Sequence, residues 1–311
     1  RHVGIFQPDN RLAGGMVERF CHGYHNSENQ EKFAPLELPN SVLTYTGYKT
    51  QRAVYNGAMN VQELDAYLRS QLRIDDLVRT DSSHNGFQVG RRKQEVSRVA
   101  CAVDACMETF RRASEWNADV VLTHHGLFWG RVIPVTGGHY ERLRFLMEHD
   151  IALYALHLPL DMHPEFGNNA VMARELGLEE LSEFGWYKGF PIGFRGVLPQ
   201  PRSLSQITDT LFGGNEEALG ILPFGSEEIR SVGLVSGGAT FEVHEAISED
   251  LDLYITGDAS HTIYHTALEA HINVIFGGHY LTEVWGPRAL GERLTRDTGL
   301  ETVFIDVPTG F

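Results

Sequence analysis

Cysteine is scarce in this chain of 311 residues, with three copies, at Cys21, Cys101 and Cys106. An odd count without a Cys-x-x-Cys pair fits neither a disulfide framework nor a thiolate zinc site. Cys101 lies in an apolar run and reads as a small core residue. Basic residues are also in deficit, with 26 Lys and Arg against 41 Asp and Glu and a formal net charge of −15. Such a surface repels phosphate backbones, and the one dense basic run, Arg91-Arg92-Lys93, reads as a solvated loop. Neither a nucleic acid nor an anionic membrane is therefore expected as a partner. No apolar run reaches the roughly 18 residues a membrane span needs, and no signal-peptide pattern is found. The expected compartment is a reducing one, the cytoplasm.

Histidine is what the chain has in excess, at 15 copies, and the question is whether those side chains converge. Residues 1–58 are rich in Asn, Gly, Gln and Tyr and carry no sustained helical or strand period. They read as a poorly ordered or non-native extension, with Met59 as the natural start. From there Asn60-Val61-Gln62-Glu63 has the form of a capping box, and Val61, Leu64, Leu68 and Leu72 follow at helical spacing. Beyond it strands and helices alternate to residue 311, which predicts an α/β protein. Expected strands include 96–103, 119–123, 151–157, 192–198, 229–235, 252–256, 273–277 and 301–307. The Gly- and Pro-rich piece 184–201 divides the chain into a first lobe, 59–183, and a second, 202–311, and reads as the linker between them.

The two lobes can be laid on one another. At a shift of 133, Val99 meets Val232, Ala113 meets Ala246, Asp119 meets Asp252 and Thr123 meets Thr256. After that Thr, the first lobe has His124-His125 and the second has Gly257-Asp258. A second block matches at 122, pairing Leu146 with Leu268, His157 with His279, Asp161 with Glu283 and Arg174 with Arg296. A duplicated unit predicts two α/β lobes about a pseudo-twofold axis. The carboxyl ends of their strands should meet in a shared cleft.

His124, His125, Asp161, His279 and Glu283 are the metal-ligand candidates, because imidazole and carboxylate suit zinc, iron and manganese alike. A His-His pair or one His-x-x-x-Asp spacing is weak alone; the duplicated spacing at equivalent strand ends gives it weight. So many donors exceed the needs of one tetrahedral ion and suit two ions about 3.5–4 Å apart. Pro159 argues against a regular helix through His157–Asp161. His157 is expected to orient a ligand or assist catalysis. His261 and His265, one turn apart beside Thr256-Gly257-Asp258, are candidates to donate protons. Phe128 and Trp129 could wall the cleft or stack a planar base. The amides of Ser236-Gly237-Gly238-Ala239-Thr240 could cradle a phosphate or simply form a tight turn.

The strings Leu122-Thr123-His124-His125-Gly126-Leu127-Phe128, Ala155-Leu156-His157-Leu158-Pro159-Leu160-Asp161 and Gly278-His279-Tyr280-Leu281-Thr282-Glu283 resemble signatures of the type 2 GTP cyclohydrolase I family, also called the Nif-three-like proteins. Asn85-Gly86-Phe87-Gln88-Val89-Gly90 and Tyr254-Ile255-Thr256-Gly257-Asp258 add to the match, in the family's order, over about residues 59–311. The resemblance implies a duplicated α/β fold, a di-metal centre on His124, His125, Asp161, His279 and Glu283, and a toroidal homohexamer with its sites facing an internal cavity. It also implies hydrolysis of a nucleotide-like substrate, with GTP ring opening by metal-bound hydroxide. A protein that stores or delivers divalent ions without turnover is the alternative. The family's early Trp-Asp-Asn-x-Gly segment here reads Ser82-Ser83-His84-Asn85-Gly86, which leaves the role of that loop open.

Overall fold

The computed structural model describes residues 59–214 and 217–311; the expectation for residues 1–58 lies outside them. The first half runs β1 (Met59–Asn60), α1 (Val61–Gln71), β2 (Gly86–Val89), β3 (Glu95–Val96), β4 (Arg98–Asp104), α2 (Met107–Glu115) and β5 (Val120–His125). It continues with α3 (Gly137–Glu148), β6 (Ala152–Ala155), α4 (Leu158–Asp161) and α5 (Asn168–Glu175). Then come β7 (Glu179–Tyr187), β8 (Phe190–Arg202), α6 (Leu204–Phe212), β9 (Gly220–Pro223), β10 (Ile229–Val235) and α7 (Val243–Ser248). The chain finishes with β11 (Leu253–Thr256), α8 (Tyr264–Ala270), β12 (Asn273–Phe276), α9 (His279–Glu283), α10 (Trp285–Thr298) and β13 (Glu301–Phe304). The capping box at α1 forms as expected, with the Asn60 side chain on the Glu63 amide and the Glu63 carboxylate on the Asn60 amide. Among the described residues no helix is long and apolar enough to cross a membrane.

Two sheets carry the fold, a five-stranded one ordered β13-β4-β5-β6-β2 and a six-stranded one ordered β7-β8-β10-β11-β12-β9. In each, three neighbouring parallel strands form the centre, β4-β5-β6 and β10-β11-β12. An antiparallel edge strand closes each on the same side, β2 on β6 and β9 on β12. The central strands are buried on both faces, so they read as unbroken apolar runs such as Val120-Val121-Leu122 and Leu253-Tyr254-Ile255. Helices α5 and α10 pack between the sheets: Val171, Met172 and Trp285 share a core with Val103 of the first sheet and Val232 of the second.

The duplication extends to individual hydrogen bonds. Asp119 accepts from the amides of Ser97 and Arg98 at 2.8 and 3.0 Å. Its counterpart Asp252 accepts from those of Arg230 and Ser231 at 2.9 and 2.8 Å. Further along, the register needs one adjustment. Leu156 and Gly277 each donate to the carbonyl of the equivalent Thr of the neighbouring strand, Thr123 or Thr256. They are therefore equivalent, and the second half has one more residue before its histidine. That residue is Gly278, at φ +94°, a conformation glycine adopts at little cost.

Two boundaries differ from expectation. The stretch 184–201 is no linker but most of a hairpin, with β8 paired to β7 on one side and β10 on the other. Its glycines serve close strand approach: a Cβ on Gly193 would overlap the Leu234 carbonyl oxygen, and one on Gly196 would lie 2.7 Å from the Glu179 oxygen. Lys188 and Gly189, at φ +48° and +87°, make the two-residue turn that suits a twisted hairpin. The second boundary fails because the chain returns: β13 adds in parallel to β4, setting Thr302 beside Val99. The last helix and strand thus complete the first lobe.

The Asp119 carboxylate, which ties the start of β4 to β5, gives a test. Burial opposes its charge, yet the amides of Ser97 and Arg98 and the Arg91 guanidinium hold its pKa below the usual aspartate value. Asp119→Ala should cost about 1.5–3 kcal/mol, as hydrogen bonds to a charged group typically do. With a depressed folded pKa, this contribution is present above the unfolded value near ~3.9 and is lost as pH falls through the folded one. Denaturant titrations should show the gap between wild type and variant closing over that acid range.

Candidate metal centre

Every candidate ligand stands at or just beyond the carboxyl end of a central strand. β5 ends in His124 and His125. After β6 the chain turns at His157 into α4, a single helical turn with Pro159 in its first positions. Proline is tolerated there because those amides lack helical partners, so Pro159 opens a short helix through Asp161 where a break was expected. After β12, Gly277-Gly278 leads into α9, whose spacing of four puts His279 and Glu283 on one face.

These side chains converge around Glu283, whose carboxylate is 3% exposed. Its Oε1 lies 3.2 Å from His279 Nε2 and 3.5 Å from His124 Nε2, and its Oε2 lies 3.1 Å from His125 Nε2. Asp161 Oδ2 lies 3.5 Å from the same His124 nitrogen. Three overlapping groups result: His124-Asp161-Glu283, His125-His279-Glu283 and His124-His125-His157, each with its ligand atoms within 4.8 Å of one another. His157 thus joins the cluster itself.

Each imidazole is tethered by the nitrogen that faces away. His124 Nδ1 bonds the Leu156 carbonyl oxygen at 2.9 Å. His125 bonds Asp104 at 2.9 Å, His157 bonds Asp81 at 2.8 Å and His279 bonds Asp258 at 2.9 Å, all through Nδ1. An acceptor at Nδ1 keeps the proton there and directs the Nε2 lone pair inward, as metal-binding histidines require. His124 Nε2 is buried without a hydrogen-bond partner, and Glu283 Oε2, likewise buried, has only the ion-pair contact to His125 at 3.1 Å. Buried polar atoms are rarely left so, and cations bound beside them would satisfy both. The residues fit a metal.

The electrostatics agree. Burial opposes the charge of His125, but the Glu283 carboxylate and the bond to Asp104 raise its pKa to about 10. Burial likewise opposes the charge of His279, and Glu283 with Asp258 lifts it to about 9. Burial also disfavours ionised Glu283, yet His125 and His124 hold its carboxyl well below the ordinary range. A site that binds protons this firmly is a well for positive charge. Divalent ions would displace those protons on binding.

Three carboxylates behind the imidazoles were not singled out from sequence. Asp104 ends β4 directly beside His125 in the sheet register. Asp258 occupies the position in the second half that His125 holds in the first, a signal the repeat alignment already contained. Asp81 precedes the divergent loop and shows that this loop does take part: Asp81 and Asn85 bond each other at 2.8 Å, and Asn85 accepts the His157 amide at 2.7 Å. His261 and His265 are exposed and belong to none of the three groups, so the geometry does not bring them to the cluster. Trp129 does reach it, 5.0 Å from His157 and 5.8 Å from His125 between ring centres, with its indole N–H on the Gly126 carbonyl. In the Ser236–Thr240 loop the Gly237 amide is bound to Thr282 Oγ1 at 3.0 Å, which favours the tight turn over a phosphate cradle.

A duplicated α/β protein with a histidine and carboxylate cluster where its lobes meet is the class that this fold and site define. The chain belongs to the Duf34/NIF3 (NGG1p interacting factor 3) family, whose model matches residues 59–310. It is 42% identical to a protein of Treponema pallidum named GTP cyclohydrolase 1 type 2 homolog, over 81% of this chain and 100% of that relative. A protein of the same name from Archaeoglobus fulgidus is 44% identical, over 81% and 99%. Among solved structures, TTHA1606 from Thermus thermophilus superposes with a TM-score of 0.73 at 40% identity, covering 81% of this chain and 100% of that one.

Gly237 tests how the cluster is made. It sits at φ +66°, and a Cβ there would overlap Glu283 Oε1 and lie 3.3 Å from His279 Nε2. Gly237→Ala should leave a folded protein, by circular dichroism, that binds divalent metal at least about tenfold more weakly, the lower end of what lost outer-shell support costs.

Proposed function

We propose that this protein is a di-metal hydrolase that acts on a nucleotide-like substrate, with opening of the GTP purine ring as its reaction. The observation that carries the reading is Glu283, which takes part in two of the three ligand groups and presents a different oxygen to His125 than to His124 and His279. A shared carboxylate is what a pair of ions about 3.5–4 Å apart requires. Zinc, iron and manganese all accept this donor set. Bound ions would lower the pKa of a water and polarise the bond under attack.

The chain's own residues supply the rest. Asp161, Glu283, His124, His125 and His279 bind, while Asp104, Asp258 and the Leu156 carbonyl orient the imidazoles. His157, backed by Asp81 at 2.8 Å and 20% exposed, is placed to hold or move a proton at Nε2. Trp129, anchored at its indole nitrogen beside His125 and His157, offers an aromatic wall to a planar base. The names of the curated relatives support GTP, and the site's geometry supports hydrolysis more directly. The same reading takes the working form as a homohexamer; exposed apolar side chains such as Met147, Trp186 and Phe241 are available for contacts between copies.

The test is GTP consumption by purified, metal-loaded protein beside a His279→Ala variant. Wild type should turn over GTP to a ring-opened product. The variant should lose more than the roughly 10–100-fold that removing an outer-shell partner costs. Metal binding without turnover of GTP or any related nucleotide would favour the storage or delivery of ions instead.

A further inference from the structure

Asp161 is the carboxylate that the first half of the chain contributes to the cluster, and it is held from both halves. Its Oδ1 accepts two hydrogen bonds, from Asn168 Nδ2 at 2.9 Å and from the Ser236 hydroxyl at 2.9 Å. Its Oδ2 is the oxygen that faces His124 Nε2. Both donors are braced. Ser236 follows β10 in the second half, is 7% exposed, and its amide bonds Asn169 Oδ1 at 2.7 Å. Asn168 is fully buried, and its Oδ1 accepts the Gly286 amide at 2.6 Å. A Cβ on Gly286 would lie 2.8 Å from that same oxygen, so the asparagine has little room to turn.

A carboxylate oxygen that already accepts two hydrogen bonds has its lone-pair directions in use. Asp161 therefore has one oxygen left to offer. We propose that Ser236 is a positioning residue: by committing Asp161 Oδ1, it makes Asp161 a one-oxygen ligand and so keeps the coordination number at the buried corner low. The inference rests on reading the cluster as a metal centre. Its consequence is selectivity. Zinc is satisfied by few ligands of imidazole and carboxylate type, whereas calcium favours many oxygens, including carboxylates that bind through both. Without the Ser236 hydroxyl, Oδ1 keeps the Asn168 bond but has one lone-pair direction open to join Oδ2 on a cation, and the preference for zinc over calcium should narrow.

The experiment compares wild type, Ser236→Ala and Ser236→Thr. Affinities for zinc and calcium are read by chelator competition, and coordination number is read from the visible absorption of the cobalt(II)-loaded protein. Ser236→Ala should lose about 10–100-fold in zinc affinity, lose less for calcium, and shift the cobalt bands toward the weaker absorption of higher coordination. Ser236→Thr, which keeps the hydroxyl, should restore the wild-type spectrum. A folded Ser236→Ala with unchanged spectrum and affinities would overturn the assignment, as would equal damage in both variants. A zinc-loaded wild-type crystal structure does not depend on any variant folding. It should show Asp161 Oδ2 alone at about 2.0–2.2 Å from the ion. Both oxygens on the ion would contradict this assignment alone; failure to bind any metal would contradict the metal-centre reading and this with it.

Discussion

The interaction on which the rest depends is the burial of the Glu283 carboxylate. Removing an ionised carboxylate from water costs several kcal/mol even after relaxation, unless positive charge and hydrogen bonds compensate. Here compensation comes from three imidazoles aimed at its two oxygens, and cations bound among them would add to it. The arrangement explains features that look unrelated in the sequence. Gly237 has no side chain because Glu283 Oε1 occupies the space. Gly278 inserts one residue that lets α9 begin at His279. Thr282 turns its hydroxyl to the Gly237 amide and so holds α9 against the end of β10.

Duplication supplied the frame, and divergence made the site. Both halves retain the aspartate that closes the strand bases, Asp119 and Asp252, with the same amide partners. At the opposite, functional edge the halves differ. Where the first half presents His125 toward the cluster, the second presents Asp258, which bonds His279 from behind. One position thus serves as an inner donor in one lobe and an outer anchor in the other. Two equal copies could not supply both roles from it, so the asymmetric ligand set follows from local substitution on a shared scaffold.

The central strands and α1 were legible in sequence because they are continuous apolar runs or cleanly periodic ones; β10 was expected at Ile229–Val235 and has those bounds. Short edge strands β2 and β9 were missed, since four residues with half their surface covered carry little pattern. Of the hairpin β7–β8 only the middle of β8, 192–198, was legible; the rest read as a linker because glycine and proline mark turns locally, while here glycine answers to a neighbouring strand far away in sequence. Of the side chains that converge in the cluster, His157, Asp161, His279 and Glu283 were legible through their repeated spacing, and His124 and His125 as a pair at a strand end. The outer ring of Asp81, Asp104 and Asp258 was harder, because each meets its histidine across strands or loops and no short spacing records the pairing. His261 and His265 show the converse: helical spacing near a strand end placed them on a solvent face.

On the di-metal reading, one carboxylate, Glu283, organises the whole site. Elemental analysis of wild type and Glu283→Gln, loaded with zinc and freed of unbound ion, tests it most directly. Two ions per chain in wild type and loss of both in the folded variant are predicted, because each ligand group built on Glu283 would lose its charge together. Wild type without metal, or a variant that keeps its full complement, would contradict it.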